Sequence, residues 1–196
     1  MRAAFPINEI FYSLQGEGYW SGRAAVFIRF SGCNLSCPFC DTNHRDCLMM
    51  SLDEIINEIS KYLSCFVILT GGEPSLFVND ELVDALHDKG YFISIETNGT
   101  HEIKSNIDWI TLSPKDTFVN NGKPVLTRCN ELKVIFTGKS RQPSYDYIHA
   151  DWRYIQPCDV SDNKENKRIT SAAVEWCKSH PGWRLSVQIH KLLDFR

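Results

Sequence analysis

Residues 27–42 read FIRFSGCNLSCPFCDT, and within this stretch three cysteines follow an apolar, strand-like run. They are Cys33, Cys37 and Cys40, in the spacing C-x3-C-x2-C. A structural zinc ion normally takes four protein ligands, and disulfides use thiols in pairs. Three thiolates suit a four-iron cluster in which one iron stays open. The stretch therefore indicates an iron–sulfur site on a loop that follows a strand.

Two other interpretations of the cysteines are weaker. His44 or Cys47 would supply a fourth ligand if the loop were a zinc knuckle, and this alternative stays open from the loop alone. The chain has eight cysteines, but Cys65, Cys129 and Cys177 stand singly in otherwise structured segments, which is untypical of a disulfide framework. We expect those three to be buried, reduced thiols.

Strand-like and helix-like runs alternate along the chain, which predicts an α/β fold with a parallel sheet and crossover helices. A complete eightfold barrel typically needs about 250 residues, so 196 residues are too few for one. The sequence predicts a shortened, partial (open) TIM-like barrel with parallel strands and few crossover helices, formed by residues 1–196 as a single domain. The runs in order are AAVFIRF, LDEIINEISKYL, CFVILT, DELVDALHDKG, YFISIET, WITLS, ELKVIF, YIQP and RLSVQIH.

Three helices have recognisable boundaries. Ser51 and Glu54 form an S-x-x-E capping box before the first. The second follows Asn79 and ends at Gly90, and the third runs from about Thr170 to Ser179 after a solvated loop at residues 162–167. The apolar face of the first helix is expected to consist of Leu52, Ile55, Ile56, Ile59 and Leu63.

Composition excludes some classes of function. The formal net charge is −3 and the pI is near 6.1, so the chain lacks the basic excess of a dedicated nucleic-acid binder. No window approaches the ~20 apolar residues of a membrane span. We therefore expect a cytoplasmic protein that contacts neither membrane nor nucleic acid directly, and small polar substrates remain open.

The predicted strands FVILT, ISIET and WITLSPK each end in polar residues. In parallel α/β sheets the carboxyl edge is where ligands bind. Arg29 interrupts the apolar run VFIRF, and an unpaired guanidinium is costly to bury. Arg29 therefore requires an anion, either a substrate group or an internal partner such as Glu17 or Glu96.

The pattern C-x3-C-x-aromatic-C after a first strand resembles the signature of the radical S-adenosylmethionine (SAM) superfamily. A second segment, ILTGGEPSL at residues 68–76, resembles the GGE motif of that superfamily. The resemblance implies a 4Fe-4S cluster on Cys33, Cys37 and Cys40 and a SAM molecule on the open iron. It also implies that the radical arises at the cluster and SAM, with no side chain acting alone as catalyst.

Seven segments, two of which contain these motifs, together narrow the resemblance to the 7-carboxy-7-deazaguanine synthase family. That family consists of carbon–nitrogen lyases that convert 6-carboxy-5,6,7,8-tetrahydropterin to 7-carboxy-7-deazaguanine with loss of ammonia, on the route to queuosine. It implies a cluster loop at residues 31–42, Mg²⁺ as a further cofactor, a homodimer, and a flavodoxin-like or other one-electron donor. The segments are INEIFYSLQGEG, SGRAAVFIRFSGCNLSCPFCDT, VILTGGEPSL, IETNGTHEI, ITLSPK, NELKVI and WRLSVQIHKLL.

The resemblance also implies roles for individual residues, and Thr42 would bind Mg²⁺. The residues that would bind SAM are Phe39, Cys40, Asp41, Gly72, Glu73, Ser113, Pro114, Lys115, Gln156, Pro157, Cys158 and Asp159. Those that would contact the pterin are Leu14, Gln15, Gly16, Arg29 and Thr70. Glu131, Lys133 and His190 are left without a role, and His190 is interpreted as a core histidine. Three alternatives remain: another radical SAM enzyme such as a glycyl-radical activase, a non-catalytic zinc-binding module, and a degenerate homologue kept for protein contacts.

Overall fold

A computed structural model describes residues 4–40, 42, 46–138 and 145–196. Within these ranges nine strands form one open sheet in the order β3-β1-β2-β4-β5-β6-β7-β8-β9. The strands are β1 Ala4–Leu14, β2 Ala24–Phe30, β3 Leu48–Ser51, β4 Phe66–Gly71, β5 Phe92–Thr97, β6 Trp109–Leu112, β7 Arg128–Phe136, β8 His149–Pro157 and β9 Arg184–Leu185.

The sheet is mostly parallel, as the sequence predicted. From β2 to β9 each neighbouring pair runs parallel, whereas β1 is antiparallel to both β2 and β3. The sequence did not predict β1 or β3 as strands. A turn joins β1 to β2, in which the Gln15 amide donates to the Arg23 carbonyl at 2.8 Å and the Gly22 amide donates to the Gln15 carbonyl at 2.7 Å. This short hairpin connection makes the first pair antiparallel.

The capping predictions are confirmed, but two helix boundaries were wrong. The helices are α1 Leu52–Ile59, α2 Asp80–Asp88, α3 Asn163–Ser179 and α4 Ile189–Leu193, with a 3₁₀ turn at Pro74–Leu76. The capping box of Ser51 and Glu54 is present, and Gly90 has φ 80°. Because α1 ends at Ile59, Leu63 lies outside it and is 95% exposed. Residues 162–167 are not a loop, because Asp162 accepts the Glu165 amide and starts α3 there.

Alternation along the strands gives the sheet two different faces. On the outer face α1 and α2 pack against β1, β2, β4 and β5, while α3 covers β7 and β8. On the inner face Phe11, Phe27, Phe66 and Ile68 form a separate apolar cluster. Further along β4 the same face carries Thr70, two residues after Ile68. The inner face therefore becomes polar toward the carboxyl ends of the strands.

The expectation for the single cysteines holds only in part. All three carry free thiols, but Cys129 is buried, Cys177 is half-buried and Cys65 is exposed. Cys65 comes just before Phe66, where the buried part of β4 begins, and therefore stays outside the core.

The last segment of the chain returns from the β9 end of the sheet to β1. The Ile189 amide donates to the Gly16 carbonyl at 3.0 Å. Beyond α4, the Arg196 guanidinium pairs with Glu9 and the Arg196 carbonyl accepts from the Ser13 hydroxyl. Residues 186–196 thus lie across the open side of the sheet. None of the helices within the described ranges is long and apolar enough to cross a membrane.

Candidate functional site

A cavity of about 1200 Å³ opens at the carboxyl ends of the parallel strands. It receives the ends of β2, β4, β5, β6, β7 and β8, which is the edge that the polar strand ends predicted. The predicted site residues in its wall are Leu14, Gln15, Gly16, Arg29, Cys33, Cys37, Phe39, Cys40, Thr42, Thr70, Gly72, Glu73, Ser113, Lys115, Gln156, Pro157, Cys158 and Asp159. Pro114 is buried between Ser113 and Lys115, and Asp41 lies outside the described residues.

The three-cysteine loop leaves β2 and faces this cavity. The Cys40 amide donates to the Cys37 carbonyl at 3.2 Å, which folds the C-x2-C part into a turn. The Leu35 amide donates to the Cys33 sulfur at 3.4 Å. Burial raises the pKa of the Cys33 thiol, and Glu73, Cys37 and Cys40 raise it further by their charges. Burial therefore disfavours the charged form of Cys33, and a cation bound at the loop would stabilise the thiolate.

The donor set of the loop is that of a four-iron cluster with one open iron. It consists of three thiols, and all three border the cavity. A structural zinc ion would take a fourth protein ligand. Cys47 is exposed with its sulfur 4.0 Å from the Met49 sulfur, and His44 lies outside the described residues.

The GGE segment is joined directly to the cysteine loop by backbone hydrogen bonds. The Gly72 amide donates to the Phe30 carbonyl at 3.1 Å, and the Glu73 amide donates to the Gly32 carbonyl at 2.9 Å. A Cβ on Gly72 would lie 1.9 Å from the Gly32 oxygen, so only glycine permits this approach. The close approach fixes the cysteine loop relative to the end of β4.

Glu73 is 1% exposed, and its carboxylate is held by the end of β5 and by the turn that follows Glu73. It accepts from the Thr97 hydroxyl at 2.6 Å, the Asn98 amide at 2.8 Å and the Ser75 amide at 3.0 Å. These bonds leave lone pairs on a carboxylate that borders the cavity. The arrangement suits the predicted pairing of Glu73 with an ammonium group.

Arg29 is paired with Glu9, and neither of the partners suggested by the sequence is the one observed. The Arg29 Nε donates to Glu9 Oε1 at 2.9 Å, and Nη1 lies 3.4 Å from the Thr42 hydroxyl oxygen. Glu9 and Arg29 are opposite each other in the antiparallel pair β1 and β2. Directly opposite residues have neighbouring side chains. The strand register therefore selects Glu9, and the guanidinium still borders the cavity.

Polar groups from four parts of the chain meet deeper in the cavity. Glu96 accepts from the Gln15 amide group at 3.0 Å and from the Thr70 hydroxyl at 3.1 Å. The Lys133 ammonium lies 2.5 Å from a Glu17 oxygen and 3.5 Å from a Glu96 oxygen. The predicted pterin contacts Gln15 and Thr70 therefore share one carboxylate, and a buried lysine holds it.

The two later segments predicted to bind SAM also reach the cavity. The Lys115 ammonium donates to the Ser113 carbonyl and hydroxyl, both at 2.6 Å, and burial lowers the pKa of Lys115 to about 8. Asp159 pairs with Lys191 at 2.9 Å and accepts the Ser161 amide and the Asn166 side chain, which lower its pKa to about 2. Both segments thus have fixed polar groups at the site.

Comparison with known proteins agrees with this geometry. Residues 27–128 match the model of the radical SAM superfamily. A 7-carboxy-7-deazaguanine synthase of Bacteroides thetaiotaomicron is 50% identical over 190 residues, which cover 97% of this chain and 98% of that protein. The chain belongs to the 7-carboxy-7-deazaguanine synthase family. The enzyme of the same name from Burkholderia multivorans is 40% identical, over 97% of this chain and 98% of its own length.

The resemblance to the 7-carboxy-7-deazaguanine synthase family holds for the fold as well as for the sequence. The crystal structure of QueE from Escherichia coli superposes with a TM-score of 0.75 at 30% identity, covering 94% of each chain. The predicted partial radical SAM barrel is confirmed by this match. Membership of the radical SAM superfamily implies a 4Fe-4S cluster and SAM.

Three residues at or behind the cavity of this 7-carboxy-7-deazaguanine synthase family member were left without a role by the sequence. Lys133 is 5% exposed and borders the cavity, whereas Glu131 is 2% exposed behind it and accepts the Tyr19 amide at 3.1 Å. His190 was interpreted as a core histidine, but it is only half-buried and borders the cavity beside Gly16. Two charged residues in one strand-like run, Glu131 and Lys133, were the available signal, because period-2 spacing places both on one face.

Proposed function

We propose that this chain converts 6-carboxy-5,6,7,8-tetrahydropterin to 7-carboxy-7-deazaguanine with release of ammonia, on the route to queuosine and related 7-deazapurines. The single observation that carries the proposal is the shared cavity. There the cysteine loop and the GGE segment lie at one end, and Arg29, Gln15, Thr70 and Glu96 supply polar groups around the same space. Family membership supports the same reaction.

Each group of the chain has a task in this reaction. Cys33, Cys37 and Cys40 would hold the cluster, and Glu73 would bind the amino group of SAM. The cluster and SAM, when bound, would supply the one-electron and radical chemistry that the reaction needs, next to the pterin. Arg29 would bind the substrate carboxylate through a charge-assisted pair, and its own pairing with Glu9 fixes the direction of the guanidinium.

Orientation is the main contribution of the protein, because the reactive species comes from the cofactors. Gln15 and Thr70 both donate to Glu96, so the three side chains form one connected polar wall. A misplacement of about 1 Å costs ~100-fold in rate, so a connected wall favours turnover. The predicted roles of Leu14, Gly16, Phe39, Ser113 and the segment at residues 156–159 are part of the same proposal.

Magnesium at Thr42 is the third cofactor in the proposal. The Thr42 hydroxyl lies 3.4 Å from the Arg29 guanidinium, so a carboxylate bound by Arg29 would also reach a metal ion there. Mg²⁺ commonly keeps several waters and takes further oxygens from substrate. Thr42→Val should lower turnover at limiting Mg²⁺, and added Mg²⁺ should restore it less in Thr42→Val than in Thr42→Ser.

The remaining parts of the proposal concern organisation. We infer a single domain over residues 1–196, with the cluster loop at residues 31–42, in a homodimeric cytoplasmic enzyme that receives electrons from a flavodoxin-like or other one-electron donor. The sequence resemblance supports these assignments. Light scattering on the oxygen-free enzyme tests the dimer, because a molar mass of one chain contradicts it.

Anaerobic turnover tests the function itself. Purified enzyme with about four irons and four sulfides per chain is expected, since a thiolate-held cubane requires them. With reductant, SAM, Mg²⁺ and the carboxytetrahydropterin it should form 7-carboxy-7-deazaguanine and ammonia, detected by mass spectrometry. Formation of 5′-deoxyadenosine without the deazaguanine would instead indicate another substrate, and the absence of iron would refute the radical mechanism.

A further inference from the structure

Lys133 is a buried cation among acidic groups at the inner end of the cavity. Its side chain is 6% exposed, and it lies 2.5 Å from Glu17 and 3.5 Å from Glu96. Glu131 precedes it by two residues on the same strand, and its charge also acts on Lys133. Lys115 and His190 complete the titratable groups that interact with this cluster. Three carboxylates therefore depend on one lysine for local charge balance.

The carboxylates of Glu17 and Glu96 border the cavity, and hydrogen bonds from neighbouring side chains hold both of them in place. Glu17 Oε1 accepts from Gln188 Nε2 at 2.8 Å, and its Oε2 accepts from Lys133. Glu96 accepts from Gln15 and Thr70. An ionised carboxylate has about four acceptor positions, so each retains acceptor capacity toward the cavity. Once protonated, a carboxyl group presents a donor there instead.

The proposed substrate makes this distinction important. A tetrahydropterin carries an amino group, a ring amide N–H and further ring N–H groups, so much of its edge consists of donors. N–H donors form hydrogen bonds with ionised carboxylates, whereas the O–H of a protonated carboxyl group faces them with a second donor. A buried carboxylate without a cation tends to be neutral, because burial disfavours the charged form. A cation next to Glu17 therefore determines whether the carboxyl group accepts hydrogen bonds from the substrate or donates one to it.

We propose that Lys133 is a positioning residue that keeps Glu17 ionised and holds it at a fixed distance from Glu96, so that the two carboxylates accept hydrogen bonds from the pterin. This inference rests on the proposed function. Lys133 acts through the two glutamates and not on the reacting carbon. Its role is separate from that of Arg29, which binds the opposite, anionic part of the same substrate.

The protonation behaviour of the cluster supports the geometry. Burial alone would raise the pKa of Glu17, but the charge and hydrogen bond of Lys133, together with Gln188 and His190, hold it at about 2. Burial likewise opposes the charge of Lys133, yet Glu17, Glu96 and Glu131 hold the pKa of Lys133 above its ordinary value. Burial raises the pKa of Glu131 to about 6 despite Lys133, so the cluster retains an excess of acid.

The test is substrate binding as a function of pH in Lys133→Met, which keeps the side-chain length and removes the charge. The probe is 6-carboxy-5,6,7,8-tetrahydropterin added to cluster-loaded enzyme with SAM and Mg²⁺ but without reductant. The pKa of a buried glutamate without a neighbouring cation reaches about 8 to 9, so only about 0.3–3% of Glu17 would be ionised at pH 6.5. Binding by the variant should then be weakened at least ~30-fold at pH 6.5 and recover to within ~5-fold at pH 9.

A matched set of variants separates this role from general damage. Lys178→Met removes an exposed lysine paired with Glu175 on α3 and should bind as wild type at both pH values. The double variant Lys133→Met/Glu17→Gln should lose the pH dependence, because its amide cannot titrate. In turnover, Lys133→Met should form several 5′-deoxyadenosine molecules per deazaguanine. A loosely held substrate is often out of position when SAM is cleaved, so cleavage and product formation become uncoupled. An equal loss of affinity at pH 6.5 and pH 9 would overturn the inference.

Infrared spectroscopy of the wild-type enzyme gives a second test, which remains decisive should Lys133→Met fail to fold. The difference between wild type and Glu17→Gln, recorded with ¹³C-labelled glutamate, should show a carboxylate band and no carboxylic acid band down to about pH 4. A carboxylic acid band from Glu17 at pH 6 would refute the role of Lys133. Absence of product in the wild-type turnover assay refutes the proposed function instead, so the two failures are distinguishable.

Discussion

Replacing Gly72 with alanine tests the contact that joins the cysteine loop to the sheet. The added Cβ would lie 1.9 Å from the Gly32 carbonyl oxygen and 2.5 Å from its carbonyl carbon. Since Cβ contacts under 3.0 Å are essentially never found, the two backbones must separate by about 1 Å. The same Gly32 oxygen accepts the Glu73 amide at 2.9 Å, so this separation also weakens that bond. The cluster would then be displaced relative to the GGE segment.

A displacement of about 1 Å costs ~100-fold in a reaction that depends on alignment, so kcat/KM for 7-carboxy-7-deazaguanine should fall by at least that factor. The assay is anaerobic turnover with product quantified by mass spectrometry, together with iron per chain and the thermal midpoint. Gly182→Ala is the matched control, because no atom lies within 4 Å of its added Cβ. Wild-type kcat/KM and iron content in Gly72→Ala would refute the argument.

Three further predictions concern Arg29, Glu131 and the cap of α1. Arg29→Lys removes the fork that pairs with Glu9 at 2.9 Å, so KM for the pterin should rise ~10-fold in steady-state kinetics, and an unchanged KM contradicts this. Glu131 has a pKa of about 6 in the fold against 4.5 unfolded, so its ionisation lowers the stability of the fold progressively from about pH 4.5, and the loss is complete above pH 6. Glu131→Gln should therefore add about 1–2 kcal/mol to the free energy of unfolding at pH 8, a gain that vanishes near pH 4.5, whereas equal gains in urea titrations at both pH values would refute it. Ser51→Ala should lower the free energy of unfolding by about 1 kcal/mol, because the helix cap is lost. Leu63→Ser, at an exposed position, should lower it by less than about 0.5 kcal/mol. Denaturant midpoints measure both changes.

The sequence predicted well the features whose physical cause lies within a few neighbouring residues. The capping box of α1 joins residues three apart, and the turn at Gly90 needs one residue with positive φ. The cysteine loop has its three thiols within eight residues. In each case the hydrogen bond or ligand spacing is set by local backbone geometry, which a sequence displays directly.

The predictions that failed concerned the partner of Arg29, which depends on strand register, and the ends of two helices. Arg29 pairs with Glu9 because an irregularity between Ile7 and Glu9 sets which residues of β1 and β2 lie opposite. Leu63 continues the apolar spacing of α1, yet the helix has already ended at Ile59. Hydrophobic periodicity states which face a residue would occupy within a helix, but not where the helix ends.

The class of fold, the family resemblance and the side chains offered to a cluster and its cofactor follow from the order of residues in the chain. The charge states and directions of those side chains depend on the folded arrangement. Glu17 and Lys133 are 116 residues apart in the chain but 2.5 Å apart in the cavity. The ionisation of a buried carboxylate depends on the charges within a few ångströms and on its exclusion from water. Those neighbours come from strands, loops and the returning C-terminal segment, which meet only when the sheet has formed.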